Sequence, residues 1–143
     1  MRLVLDANEY IFGLGPKREP ECEQLLQVAA RHDLRVCRAI AREVLDNLPP
    51  DAHHRFFAYL SEAVDVVPPI DEDFVIPFDL GMGYEAMGFK PADALIAAYV
   101  ESVEADVLVS ENRHFLATTV GLPFAVHDAK SFLETFEPPA GLT

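Results

Sequence analysis

The chain has 143 residues, half of them hydrophobic, with 11 Lys and Arg against 24 Asp and Glu for a formal net charge of −13. That length and apolar content suit a single domain over residues 1–143 with one core and exclude a disordered chain. The acidic balance counts against nucleic-acid binding unless basic residues gather locally or the acids bind a cation that meets the phosphate.

The first residues, Met1-Arg2-Leu3-Val4-Leu5-Asp6, are too briefly apolar for a signal peptide. No apolar run reaches membrane-spanning length, so no membrane partner is expected. Two cysteines, Cys22 and Cys37, are too few for a disulfide framework or a zinc site and read as small core residues. A cytoplasmic setting follows as the expectation.

In chain order, 2–5 reads as a buried strand ending in Asp6. The stretch 20–32 reads as a helix, with proline at its start and Cys22, Leu25, Leu26 and Ala29 at helical spacing. A strand is expected at 34–37, a helix at 39–48 stopped by Pro49-Pro50, a helix over roughly 51–63, and a short strand at 64–67. Residues 71–89, broken by Pro77, Gly81, Gly83 and Gly88, suggest short helical pieces and turns, with Asp71-Glu72-Asp73 capping a helix start. A strong helix runs from Pro91 to about Glu104, with proline suited to its first turn. A strand at 106–109, a short helix near 112–117, a strand at 124–126 and a helix over 128–136 complete the pattern, and the tail after Pro138-Pro139 is expected to be loose. Apolar strands alternating with helices predict an α/β fold, a three-layer α/β/α sandwich around a mainly parallel sheet.

In such sheets, sites form at the carboxyl ends of the strands, which is also where the following helices begin. Asp6, Glu43, Asp93 and the segment Ser110-Glu111-Asn112 all map to that edge. Each has an ordinary reading alone: Asp6 as a helix cap, Glu43 as a solvated helical acid, Asp93 as a first-turn carboxylate. Together they place several carboxylates on one edge without an evident Lys or Arg partner. Burying a carboxylate unpaired is expensive, and a divalent cation could serve all of them. Oxygen ligands without His or Cys suit Mg²⁺ or Mn²⁺ better than zinc.

Four segments resemble the PIN-domain family, which includes the VapC-like toxins, across residues 2–136. Val4-Leu5-Asp6-Ala7-Asn8 resembles its opening strand and first aspartate, and Ala41-Arg42-Glu43-Val44-Leu45 the helix carrying its glutamate. Lys90-Pro91-Ala92-Asp93-Ala94-Leu95-Ile96-Ala97-Ala98 resembles its "DALIAA" helix. Ser110-Glu111-Asn112-Arg113-His114-Phe115 resembles the turn usually written Thr-x-Asp-x-Asp-Phe. The resemblance implies a metal-dependent endoribonuclease hydrolysing RNA phosphodiester bonds with Mg²⁺ or Mn²⁺. Asp6, Glu43 and Asp93 would be its catalytic metal ligands. Many members are toxins neutralised by a cognate antitoxin, and many are homodimers. The chain departs from the pattern where Asn112 and His114 replace acids. Asn112 still offers a carbonyl oxygen to a metal, but without charge. Ser110 matches the small hydroxyl position, and Asn8, Arg42, Lys90 and Arg113 are candidate contacts to RNA.

The alternative is a catalytically degenerate PIN domain that binds RNA or protein without cutting, supported by Asn112 and by the acidic charge. A haloacid-dehalogenase-type phosphotransferase needs a second aspartate where Asn8 stands and a late lysine with an acidic pair. A receiver domain needs its aspartate after a central strand, where Cys37-Arg38 stands.

Overall fold

The computed structural model describes residues 1–118 and 121–137. The expectation of a loose tail after Pro138 lies outside them. Strand β1 (Arg2–Leu5) leads into helices α1 (Ala7–Leu14) and α2 (Pro20–Ala29), then β2 (Asp33–Cys37) and α3 (Arg38–Asn47). A 3-10 turn at Pro50–Ala52 precedes α4 (His53–Ala63) and the short β3 (Ile70–Asp71). Helices α5 (Phe78–Ala86) and α6 (Pro91–Ser102), strand β4 (Val107–Val109), α7 (Arg113–Ala117), β5 (Ala125–His127) and α8 (Ala129–Phe136) follow.

All pairings are parallel and the strand order is β3-β2-β1-β4-β5. Parallel strands need crossover connections, and these supply the two helical layers. Helix α1 packs on α2, α3 and α4, with α2 also against α8, while α5 packs on α6. The central strand is buried from Leu3 to Leu5, as a strand covered on both faces requires. Tyr10, Phe56, Leu60, Tyr99, Phe115 and Phe132 fill the spaces between layers. Helix α1 reaches α2 closely because Gly13 has no side chain; a Cβ there would run into Leu26 and stand 3.2 Å from the Cys22 carbonyl oxygen.

Three local expectations are corrected. Residues 64–67 form no strand: Pro68 and Pro69 lack the N–H a ladder needs, and Ile70 and Asp71 pair with Val36 and Cys37 instead. Asp71 therefore belongs to β3 and its carboxylate accepts from the Asp73 N–H at 3.2 Å, so the acidic triplet caps no helix. Helix α2 ends at Ala29, with residues 30–32 in turns. Helix α1 is an element beyond those expected; its N-cap is Asp6, with Asn8 inside the helix.

Candidate active site

Asp6 stands where β1 ends and α1 begins. Its Oδ1 accepts from the Ala7 N–H at 2.8 Å and its Oδ2 accepts from the Ser110 hydroxyl, also at 2.8 Å. The pairing of Leu5 with Val109 makes this contact, since it sets the next residues of β1 and β4 side by side. The Asp6 N–H donates to the Val109 carbonyl at 2.9 Å, extending the ladder by one step. Ser110 is fully buried. Its oxygen also accepts from the Asn112 N–H at 3.0 Å. With its hydroxyl engaged inside the protein, Ser110 positions Asp6 and the turn after β4.

Asn112 continues the chain of contacts. Its side-chain oxygen accepts from the His114 N–H at 2.9 Å and so caps α7. Its amide N–H then donates to Asp93 Oδ1 at 3.2 Å. The cap dictates the orientation, because the His114 N–H needs an acceptor and the amide nitrogen is none. The carbonyl that the sequence offers to a metal is thus engaged at the helix, and the donor face meets Asp93. A continuous path, Asp6–Ser110–Asn112–Asp93, ties two carboxylates on three elements together.

Asp6, Asn8, Glu43, Asp93 and Asn112 line one cleft of about 440 Å³, with Leu95 and Ile96 among its apolar walls. Glu43 faces it from α3, whose apolar stripe (Ile40, Ala41, Val44) is buried and leaves Glu43 at the rim. Burial pushes the Asp6 carboxyl up; the Ser110 and Ala7 hydrogen bonds pull it down, and the Asp93 charge adds a further upward push. Glu43 is also raised, first by loss of solvent and then by the charges of Asp6 and Asp93. Two buried or half-buried acids whose affinity for protons is raised, beside the charge of a third, make a site short of a cation.

Among the described residues the ion pairs join Arg2 and Arg35 to Asp33, Arg18 to Glu23 and His32 to Glu137, and none involves Asp6, Glu43 or Asp93. Their all-oxygen chemistry suits a hard cation. The set is an open one: among the described residues no three His, Cys, Asp or Glu side chains converge into a ready-made metal cage.

The other candidates are less close. Asn8 is exposed within α1 and lines the cleft. Arg42 is exposed on α3 and lines a neighbouring recess. Lys90 and Arg113 are exposed at the starts of α6 and α7, on the same edge of the sheet but outside the cleft wall.

Sequence reasoning passed over Glu9, one turn below Asp6 in α1. It is completely buried, with Oε2 accepting from the Cys22 thiol at 3.3 Å and Oε1 without a donor. Burial, together with a hydrogen bond to Glu111 and that residue's charge, pushes its carboxyl up to about 10. With its carboxyl held up to about 10, Glu9 keeps its proton at neutral pH. Glu111 in turn accepts from the Ala129 N–H at 3.0 Å. The available signal was the apolar company of Tyr10 and Gly13, which puts Glu9 on the inward face of its helix.

The five-stranded parallel sheet, its two helical layers and the acidic cleft at its carboxyl edge define a PIN-like fold. The chain is similar to a chain in the crystal structure of VapBC2 from Rickettsia felis bound to a DNA fragment from their promoter, with a TM-score of 0.63 at 16% identity over 90% of this chain and 98% of that one. No family model and no curated protein matches the sequence. Among the described residues no helix is long and apolar enough to cross a membrane.

Proposed function

We propose that the protein is a divalent-metal-dependent endoribonuclease, the toxin of a toxin–antitoxin pair. The observation that carries this reading is the clustering of Asp6, Glu43 and Asp93 around one cleft, with raised proton affinity at two of them and, among the described residues, no cationic side chain paired with any. Asp6, Asp93 and Glu43 would hold Mg²⁺ or Mn²⁺, with Asn112 as a weaker neighbour. When bound, such an ion orients a phosphate, activates water and stabilises the leaving oxygen.

The chain's own residues do the rest. Ser110 holds Asp6 in one orientation, and Asn112 does the same for Asp93. Glu43, at the rim of the cleft, would accept the proton of an attacking water at its carboxylate. That water's oxygen forms the new bond to phosphorus as the ester bond breaks, and the leaving oxygen takes up a proton from solvent. Arg42, Lys90 and Arg113, with Asn8 at the cleft wall, are the candidate contacts to the RNA backbone.

The partner reading rests on the likeness to VapBC2 and on surface chemistry. Phe78 and Met82, one turn apart on α5, are 77% and 53% exposed, and Val75 beside them is 80% exposed. Such apolar side chains on an acidic protein suit a basic, amphipathic antitoxin segment. A homodimer remains part of the same proposal.

The second reading, a PIN domain that binds without cutting, draws on the Asn112 amide: it donates to Asp93 where a carboxylate would add charge. Incubation of purified protein with single-stranded RNA and Mn²⁺ separates the two. Cleavage that EDTA stops and Asp93→Asn removes supports the nuclease; intact RNA at high protein concentration with retained binding supports the other reading.

A further inference from the structure

A second recess opens directly beside the acidic cleft. It encloses about 260 Å³ and is lined by Cys37, Arg38, Ala39, Arg42, Phe74 and Leu95. Ala39 and Leu95 also line the cleft, so the two depressions share a wall. The order of strands explains the continuity: Asn112 follows β4, Asp6 follows β1, Arg38 follows β2, and Phe74 lies three residues past β3. The cleft and the recess therefore form one track along the carboxyl edge of the sheet.

Arg38 and Arg42 stand one helical turn apart on α3, both exposed. Among the described residues neither has a hydrogen-bond or ion-pair partner, whereas Arg2, Arg18 and Arg35 are all engaged with acids or backbone carbonyls. In a chain with 24 acids and 11 bases, two adjacent free guanidiniums are a local departure from the overall charge. Helix α3 has no acid in its first turn, so its positive end adds to theirs. Phe74 is half-buried and braced edge-on by Tyr99, with ring centres 5.2 Å apart at 71°. A braced ring beside paired arginines has the composition of a nucleotide site: stacking for the base, charge-assisted hydrogen bonds for the phosphate.

We infer that this recess is a nucleotide subsite for single-stranded RNA, in which Arg38 and Arg42 grip a backbone phosphate and Phe74 stacks a base, one step along the strand from the acidic cleft. The inference rests on the ribonuclease reading for what occupies the cleft, but the recess binds without any cut being made. A single strand is required because a paired base has no free face to offer a side chain.

The test is fluorescence anisotropy with a labelled ten-nucleotide oligouridine in EDTA, so that binding is read without cleavage. Arg38→Glu/Arg42→Glu is expected to weaken binding at least tenfold and to flatten the salt dependence by about 0.7 in log–log slope for each phosphate no longer neutralised. Phe74→Leu, which keeps an apolar side chain against Tyr99, should weaken it about fivefold or more with the salt slope unchanged. Lys17→Glu and Lys130→Glu, exposed and lining neither the cleft nor the recess, should bind as the wild type does. Wild-type affinity in both recess variants, equal losses in the lysine controls, or preference for an RNA duplex overturns the subsite. A wild type that binds in EDTA but never cuts with Mn²⁺ defeats the nuclease reading alone. One that cuts yet ignores the recess variants defeats the subsite alone.

Discussion

The Ser110 hydroxyl donates to Asp6 Oδ2 across 2.8 Å, joining two residues that lie 104 positions apart in the chain. This hydrogen bond counteracts the burial that pushes Asp6 toward its protonated form. Ser110→Ala removes it and also leaves the Asn112 N–H without its acceptor. The expected stability loss is about 1 kcal/mol, or roughly 2–4 °C in Tm. Asp6 should then titrate at higher pH, moving the acid limb of the cleavage profile upward. Thermal melts and a pH–rate series check both; a loss of stability with an unmoved acid limb would confine Ser110 to a structural role.

Asp6→Asn, Glu43→Gln and Asp93→Asn should each reduce Mn²⁺-dependent cleavage by roughly a hundredfold or more, as removal of a metal ligand or its close support does. The same changes carry a stability signature. Asp6 and Glu43 have raised folded-state pKa values, so the native state binds protons more tightly than the unfolded chain. Their contribution is favourable at low pH and is lost as pH climbs past the ordinary carboxylate range. In metal-free buffer at pH 8, Asp6→Asn and Glu43→Gln should therefore match or exceed the wild-type Tm. Clean, folded variants with full activity at any two positions would defeat the assignment.

Metal binding should raise Tm in proportion to the logarithm of free Mn²⁺ above its dissociation constant. The gain should shrink in Asp93→Asn. Scanning calorimetry with and without Mn²⁺ reads this directly, and superimposable wild-type curves would remove the metal from the proposal.

Glu9 gives a pH dependence with its sign already determined. Its carboxyl is raised to about 10, so between the usual carboxylate range and that value the unfolded state releases a proton the folded state keeps. Stability falls as pH rises through this window. Glu9→Gln mimics the protonated acid, can accept from Cys22 and donate to Glu111, and should stabilise the fold at pH 8 by on the order of 1–3 kcal/mol. Urea denaturation of both proteins at pH 5 and pH 8 tests it; a difference that does not grow with pH contradicts the buried-proton account.

Asn112→Asp keeps the cap on α7 but sets a carboxylate against Asp93 in place of a donor. Without metal the two should repel, lowering Tm slightly. With Mn²⁺ the added charge should tighten binding and bring cleavage to lower metal concentration. Titration calorimetry on both proteins decides, and unchanged Mn²⁺ affinity would put Asn112 outside the metal's reach.

Local pattern makes most of the elements legible. The runs Leu3–Leu5 and Val107–Val109 are uninterrupted apolar stretches, as doubly covered strands are. The Pro91–Ser102 helix declares itself by proline at its start and a long apolar face. The strand expected at 64–67 fails for a non-local reason: which residues join a ladder depends on the partner strand, and two prolines displace the pairing to Ile70–Asp71. Helix α1 is obscured by glycines and a mixed polar face, and is held in place by its packing on α2 rather than by propensity.

The sequence by itself determined the alternation of strands and helices, and therefore which carboxylates would stand on the same edge of a parallel sheet, because hydrophobic periodicity and helix direction are local properties. Tertiary structure alone decided what those side chains meet. The register of β1 against β4 joins Ser110 to Asp6, the cap on α7 turns the Asn112 amide toward Asp93, and the approach of α2 and the β4–α7 turn keeps a proton on Glu9. Burial and charge proximity are sums over residues distant in the chain, so no window of sequence contains them.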